Sequence, residues 1–313
     1  MKELNDKLKT IPFGIRFLAV AIFCVLVQIS SFSKAADVNP ITKSTYMDLQ
    51  ISISGQGQDL IFIHGLNSKA SVFNDMCAVL SASYRCHLIQ LPGFAGAKPI
   101  ADIEAGYLPV MAEQVANYIK NNKLNNPVLV GHSLGGFLSL LIASQDTTLV
   151  KRLVLIDSLP FFGAAQNPAA TVEMMRPMAT AMKQSLLTMS DEVYKQRAPM
   201  QLMGMTRNSD RMPTLIEWSI SSDRATMAQS MYEMQTTDLR DAIASIDIPV
   251  LVFGSWAAYE NYGTTQASAQ QMFEMQYRNL PNKTVLISDA SYHFIMWDDQ
   301  QWLLEHMTSF LKQ

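Results

Sequence analysis

Pro127-Val128-Leu129-Val130-Gly131-His132-Ser133-Leu134-Gly135-Gly136 decides how this chain of 313 residues is read. The apolar run at 127–130 predicts a strand, residues 131–135 a sharp turn, and the apolar stretch 137–143 a helix. A serine at the apex of such a turn is held in a strained backbone conformation, and Gly131 and Gly135 leave room for strand and helix to pass close together. Its hydroxyl is thereby presented to a substrate. The Leu134 amide falls at the positive end of the helix, where an oxyanion is stabilised. Ser133 is therefore a candidate nucleophile and Leu134 a candidate oxyanion donor. A turn that merely connects two elements fits the same ten residues, but the strand before and the helix after are the context the chemistry requires.

Outward from this turn the chain alternates strands and helices. On one side, residues 153–156 form a continuous apolar strand that ends on Asp157, and on the other, residues 60–63 form a strand that ends on His64-Gly65-Leu66-Asn67. Residues 46–53 alternate as one strand, turned by Ser54-Gly55-Gln56-Gly57. Helices are expected at 71–80 and 106–121, and a strand at 86–91. Strands that are apolar on both faces and alternate with helices imply a parallel sheet covered on both sides, with ligands beyond the carboxyl ends of its strands. His64, Ser133 and Asp157 all follow strand ends, which places them on one edge. The sheet resumes at 249–253 and 284–287, and an amphipathic helix at 299–311 closes the chain.

Residues 159–244 differ in character. They carry Met174, Met175, Met178, Met182, Met189, Met200, Met203, Met205, Met212, Met227, Met231 and Met234, with helical spacing and no convincing strand. This is the pattern of a helical cap inserted over the catalytic edge. Its thioethers are expected mainly to pack helix against helix, and some to line an acyl or aromatic pocket.

The N-terminus reads as a signal peptide over residues 1–35. Lys2, Lys7, Lys9 and Arg16 precede the apolar run 17–29, and Ser33-Lys34-Ala35 supplies small residues before a cleavage point. Export to the periplasm or medium follows; an uncleaved membrane anchor is the alternative, for which the run is short. Cys24 follows Ile22-Phe23 and so lacks the small residues of a lipid attachment site. Cleavage leaves Cys77 and Cys86, which either pair in an oxidising compartment or serve as small buried apolar residues. It also removes five basic and two acidic side chains, leaving 19 against 25 and a net charge of −6. An acidic chain with no basic tract implies no nucleic-acid partner, and without the leader it has no stable hold on a membrane. At 49% hydrophobic residues it can bury a large core.

From residue 45 to the C-terminus the chain resembles the α/β-hydrolase family, specifically its cap-bearing, serine esterase-like members. The resemblance rests on His64-Gly65, on Gly131-His132-Ser133-Leu134-Gly135, on the late Ser291-Tyr292-His293-Phe294, and on their spacing. It implies an α/β fold with a mostly parallel central sheet flanked by helices, a core at 36–158 and 245–313, and a helical cap at 159–244. Of five histidines, His64 and His132 belong to the motifs, His87 falls inside a strand and His306 on the last helix. His293 remains, and in the family the matching histidine is the general base that a serine nucleophile needs. The resemblance also gives the Leu66 amide as second oxyanion donor, with Asn67 as a further polar contact and His64 as a loop-holding residue.

One departure concerns the acid that orients the base. The family commonly carries it three residues beyond a glycine after the penultimate strand, but here that glycine is Gly254 and Ala257 stands in the acid's place. Asp157 is the preferred substitute and Glu260 the alternative, while Asp289 lies too close to His293 in sequence to face it. The function implied is an exported serine hydrolase of small carboxylic esters, working through an acyl-enzyme on a small-molecule acyl substrate, with no metal and no cofactor. Amide, lactone, thioester and carbon–carbon hydrolysis use the same constellation. A ligand-binding protein on the same scaffold, with little turnover, is the competing class.

Overall fold

A computed structural model describes residues 41–103 and 106–313. Residues 1–35, expected to be a signal peptide and including Cys24, lie outside the described residues, as do the first residues of the expected core. From Ile41 to Gln313 the chain forms one compact unit.

Its centre is an eight-stranded sheet in the order β1-β2-β4-β3-β5-β6-β7-β8. The strands are β1 (Thr42–Tyr46), β2 (Leu49–Gly55), β3 (Gln58–Ile63), β4 (Tyr84–Gln90), β5 (Val128–His132), β6 (Arg152–Ile156), β7 (Val250–Gly254) and β8 (Lys283–Ile287). β1 and β2 pair antiparallel and β2 joins β4 antiparallel, whereas β4, β3, β5, β6, β7 and β8 are all parallel. The expected single strand at 46–53 is thus a hairpin. Tyr46 pairs with Leu49, and Met47 takes a left-handed φ of 52° at the turn. Such turns usually carry Asn-Gly or Asp-Gly; Met47-Asp48 gives no such signal.

The continuous apolar strands fill two cores. Side chains alternate across a pleated strand, so Ile61, Ile63, Leu129, Leu153 and Leu155 enter the apolar cluster on one face. Leu60, Phe62, Val128, Val130, Val154 and Ile156 enter the cluster on the other. Each such side chain contributes roughly 1.5–3 kcal/mol by leaving water. The first face is covered by α2 (Leu108–Asn121) and α3 (Leu134–Gln145), the second by α1 (Asn74–Leu80) and the closing helix α10 (Gln300–Leu311). Cys77 on α1 and Cys86 on β4 are both buried and unlinked. Burial, together with the hydrogen bond to Cys86, pushes the Cys77 thiol well above its ordinary value.

Between β6 and β7 the chain is helical, with α4 (Val172–Thr188), α5 (Asp191–Gln201), α6 (Met212–Ser221) and α7 (Arg224–Thr236). After β7 come α8 (Gln266–Gln276), which precedes β8, and the short α9 (Ile295–Asp298), which precedes α10. Within the insert α7 is the inner helix and contributes Met227 and Met234 to the first core cluster. The packing expectation fails for five methionines. Met174, Met178, Met182, Met200 and Met203 are exposed, Met182 the least, since Gln235 of α7 reaches its Sδ. No helix among the described residues is long and apolar enough to cross a membrane.

Candidate active site

Ser133 stands between β5 and α3 with φ 52° and ψ −118°, a conformation a non-glycine residue holds only when its surroundings enforce it. Three bonds do so. The Ser133 N–H donates to Ile156 O at 2.9 Å, the Gly136 N–H donates back to Ser133 O at 2.9 Å, and the Ser158 hydroxyl donates to Ser133 O at 2.7 Å. Close approach completes the turn: a Cβ on Gly135 would stand 1.9 Å from Ile63 O. A Cβ on Gly65 would stand 3.0 Å from Ser133 Cβ and 2.9 Å from His132 Nδ1, so the loop after β3 runs directly against the serine. Both candidate oxyanion donors therefore flank Ser133, Leu134 as the first residue of α3 and Leu66 as the residue after Gly65.

Loop 64–67 is held by polar contacts that only a neutral His64 can make. Its Nδ1 contacts Gly65 O at 2.7 Å, and its Nε2 accepts from the Leu91 N–H at 3.0 Å. An N–H on Nδ1 and a bare Nε2 satisfy both. Burial pushes the His64 pKa down to about 4, against a smaller upward pull from Gly65 O. Asn67 follows in a left-handed conformation, φ 49°, and its Nδ2 reaches Met227 Sδ at 2.8 Å and Tyr194 Oη at 3.4 Å, both from the insert. Asn67 Oδ1 is buried without a partner.

His293 lies in the loop after β8, and its Nδ1 contacts Asp157 Oδ2 at 2.6 Å. Asp157 is raised for this by its own left-handed φ of 47° at the end of β6, where its N–H donates to Phe253 O. Its carboxylate is fixed by the residue after Gly254. The Ser255 N–H donates to Oδ1 at 2.8 Å and the Ser255 hydroxyl to Oδ2 at 2.9 Å. The penultimate strand thus supports the acid from the place where the family more often supplies it. Glu260 is not brought to His293; it is exposed on the 3-10 turn Ala257–Tyr262. Asp289 accepts from Gln266 Nε2 at 2.7 Å.

The remaining histidines are occupied elsewhere. His87 Nε2 contacts Asp59 Oδ1 at 2.8 Å and His87 Nδ1 contacts Tyr118 Oη at 2.7 Å; His306 is exposed beside Trp302. His132 has a role that its place in the serine motif did not announce. Its ring lies 4.5 Å from that of His293, tilted by 47°, and its Nε2 donates to His293 O at 3.1 Å. Burial and the neighbouring His293 hold its pKa well below the ordinary value, so it stays neutral. Ser255, too, gave no signal in sequence, since a small polar residue after a strand has many uses.

The model of the α/β-hydrolase fold family matches residues 60–300. The chain belongs to this family. Like its members here it is a hydrolase. Among curated α/β-hydrolase relatives, the pimeloyl-[acyl-carrier protein] methyl ester esterase of Shewanella woodyi is 28% identical over 209 residues, 65% of this chain and 77% of that one. The corresponding esterase of Vibrio cholerae is 27% identical over 208 residues, 66% and 78% of the two chains. Among solved structures, the esterase of Exiguobacterium antarcticum superposes with a TM-score of 0.70 at 20% identity, covering 87% of this chain and 99% of that one. That likeness speaks for the hydrolase fold alone.

Proposed function

We propose that this hydrolase is exported and cleaves small carboxylic esters through an acyl-enzyme, with Ser133 as nucleophile, His293 as general base and Asp157 as its orienting acid. The observation that carries the reading is the 2.6 Å contact between His293 Nδ1 and Asp157, on the same sheet edge as the strained Ser133. With Nδ1–H committed to the carboxylate, Nε2 is the free ring nitrogen and takes the Ser133 proton. Ser133 Oγ adds to the ester carbonyl, and the developing oxyanion is met by the Leu66 and Leu134 amides. The tetrahedral species then expels the alkoxide, which leaves as alcohol with the proton from His293. Water, deprotonated by the same imidazole, repeats the addition at the acyl-enzyme and releases the acid and free Ser133.

The curated relatives are named for a methyl ester, which supports an ester with a small alcohol as the bond cleaved. The helical insert is read as a cap, because Tyr194 and Met227 from it meet Asn67 beside Leu66. Export rests on the leader pattern of residues 1–35. The competing reading, a binding protein without turnover, drew its support from Ala257; with a carboxylate already at His293, no observation favours it.

The test is a panel of p-nitrophenyl and methyl esters of graded acyl length, assayed on wild type and Ser133→Ala. Turnover is expected to fall by about 10⁴-fold or more in Ser133→Ala. Unchanged hydrolysis in that variant rejects the nucleophile, and N-terminal sequencing of the protein recovered outside the cytoplasm tests cleavage of the leader.

A further inference from the structure

Three consecutive backbone positions around the candidate base are each held by a different partner. The Tyr292 N–H donates to Asp298 Oδ2 at 2.9 Å, His293 O accepts from His132 at 3.1 Å, and the Phe294 N–H donates to Met205 O at 3.0 Å. Two of these holds involve the insert. Met205 belongs to it outright, and Asp298 is bound to it. The Asp298 carboxylate accepts from the Thr206 hydroxyl at 2.6 Å and from the Arg207 N–H at 3.0 and 3.1 Å, on its two oxygens. Arg207 closes the joint by donating from Nη1 to Ala290 O at 2.8 Å, with its guanidinium 5.9 Å from the centre of the Tyr292 ring.

We propose that Asp298 is a positioning residue for His293, a joint through which the insert segment 205–207 sets the placement of the catalytic imidazole. This rests on the reading of Ser133, His293 and Asp157 given above. The physical argument is one of constraint. The ring of His293 is aimed by Asp157, but where it is aimed from depends on the backbone at 292–294, which runs in the loop between β8 and α9 and by backbone bonds is tied to α9 only where Phe294 O accepts from the Trp297 and Asp298 N–H groups. Asp298 sits at the end of α9, one turn away, and offers two oxygens to four contacts, three from Thr206 and Arg207 of the insert, with Thr206 92 residues away in sequence, and one from Tyr292 six residues away. Charge-assisted bonds of this kind are short and directional. A misplacement of about 1 Å at a reacting group can cost 10²-fold in rate. A displacement of the insert at Thr206 is therefore carried to His293 without passing through substrate.

The experiment compares wild type, Thr206→Val, Thr206→Ser, Asp298→Asn and the Thr206→Val/Asp298→Asn double variant on one soluble p-nitrophenyl ester. It records kcat, KM and the acid limb of kcat/KM against pH, alongside labelling of Ser133 by a fluorophosphonate. Asp298→Asn keeps one carbonyl oxygen but turns an amide NH2 toward one of the donors, and kcat is expected to fall by about 10- to 100-fold, with KM within about threefold and the acid limb displaced. Thr206→Val removes the hydroxyl bond to Asp298, together with the one that hydroxyl accepts from the Asn208 N–H at 3.1 Å, while leaving Tyr292 on the Asp298 carboxylate; a fall of about fivefold in kcat is expected, restored by Thr206→Ser. The double variant should be no worse than Asp298→Asn alone, since both act through one joint.

Wild-type kcat and acid limb in Thr206→Val overturn the coupling even where Asp298→Asn fails to fold. Additive losses in the double variant overturn it as well. These outcomes are separable from failure of the parent reading, which shows as unlabelled Ser133 and full turnover in Ser133→Ala. With Ser133 labelled and Ser133→Ala inactive, a silent Thr206→Val removes only the joint.

Discussion

In β5 every residue from Val128 to His132 is buried, whereas in α4 of the insert Ala179 is the one buried residue of seventeen. The sheet is buried between helices through apolar side chains on both faces, so each of its inner strand ends is a fixed platform. The insert is layered differently. Its inner helix α7 enters the core with Met227 and Met234, and its outer helix α4 leaves Met174 and Met178 more than half exposed. Between insert and core lie discrete polar joints: Glu233 to the Tyr107 and Leu108 N–H groups, Asn67 to Met227 and Tyr194, Asp298 to Thr206 and Arg207. The Asn67 and Asp298 joints sit beside the loops that carry the candidate oxyanion donor Leu66 and the candidate base His293. The candidate catalytic residues thus stand on the sheet's strand ends, and the insert meets them at points where a few hydrogen bonds decide position.

The sharpest way to break this division is at the platform itself. Asp157→Asn keeps the shape of the site but takes the carboxylate from His293 Nδ1, and kcat should fall by about 10³- to 10⁴-fold with the fold intact. Glu260→Gln, on the exposed 3-10 turn, should leave kcat within about twofold. Steady-state kinetics with circular dichroism on both variants measure the contrast. Loss in Glu260→Gln alone would move the acid to the loop after β7.

A second effect belongs to the core side. His64 is neutral in the fold with a pKa of about 4, against an ordinary value of 6.5 when the chain is unfolded. Between those values the unfolded chain binds the extra proton, so acid favours unfolding. The stability contributed by a neutral His64 is complete above about pH 6.5 and declines as pH falls to about 4, by roughly 3 kcal/mol in all. Thermal melts at intervals across this range should show that decline, and His64→Gln, although less stable at pH 7, should show a flatter one. His87 adds in the same direction, its pKa also lowered chiefly by burial. A melting temperature that rises toward pH 4 would contradict both.

How much of this division is legible in sequence follows from what each region asks of its residues. β3, β5 and β6 are readable because a strand buried on both faces must be apolar throughout, and Asp157 stands out because it ends one of them. His293 emerges because the other four histidines have places elsewhere. The hairpin at Met47 is not readable, since a left-handed turn is made there without glycine or asparagine. Nor is Asp298, whose partners Thr206 and Tyr292 lie 92 and 6 residues away. Ser255 supports the acid from the very loop whose Ala257 suggested that support was missing. Methionine hides the rest: Met227 at 6% exposure and Met174 at 59% are the same residue type in the same helical period.

The joints come next in size. Glu233 Oε1 and Oε2 accept from the Tyr107 and Leu108 N–H groups at 2.8 and 2.6 Å, so a carboxylate of the insert serves the first turn of α2 in the core. Tyr107 precedes Leu108 at the start of that helix and makes no capping bond with its own side chain. Negative charge there also meets the positive end of the helix. Glu233→Gln turns a donor toward one of the two N–H groups, and a loss of about 2 kcal/mol in urea unfolding is expected.

The outer face supplies the smallest effect and the cleanest contrast. Met174, Met178 and Met182 follow one another at intervals of four along α4, so they lie on one side of the helix, and all three are exposed. Met174 and Met178, more than half exposed, bury little, and the double change Met174→Gln, Met178→Gln should shift stability by no more than about 0.5 kcal/mol and leave kcat unchanged. Met227→Gln on α7, by contrast, places a polar amide at a site 6% exposed beside Tyr194 and Asn67, and should cost about 1–3 kcal/mol and lower kcat through the Asn67 contact. If the outer pair proves as costly as the inner one, α4 is held by contacts of its thioethers, and the layering of the insert into a packed inner and a solvated outer helix fails.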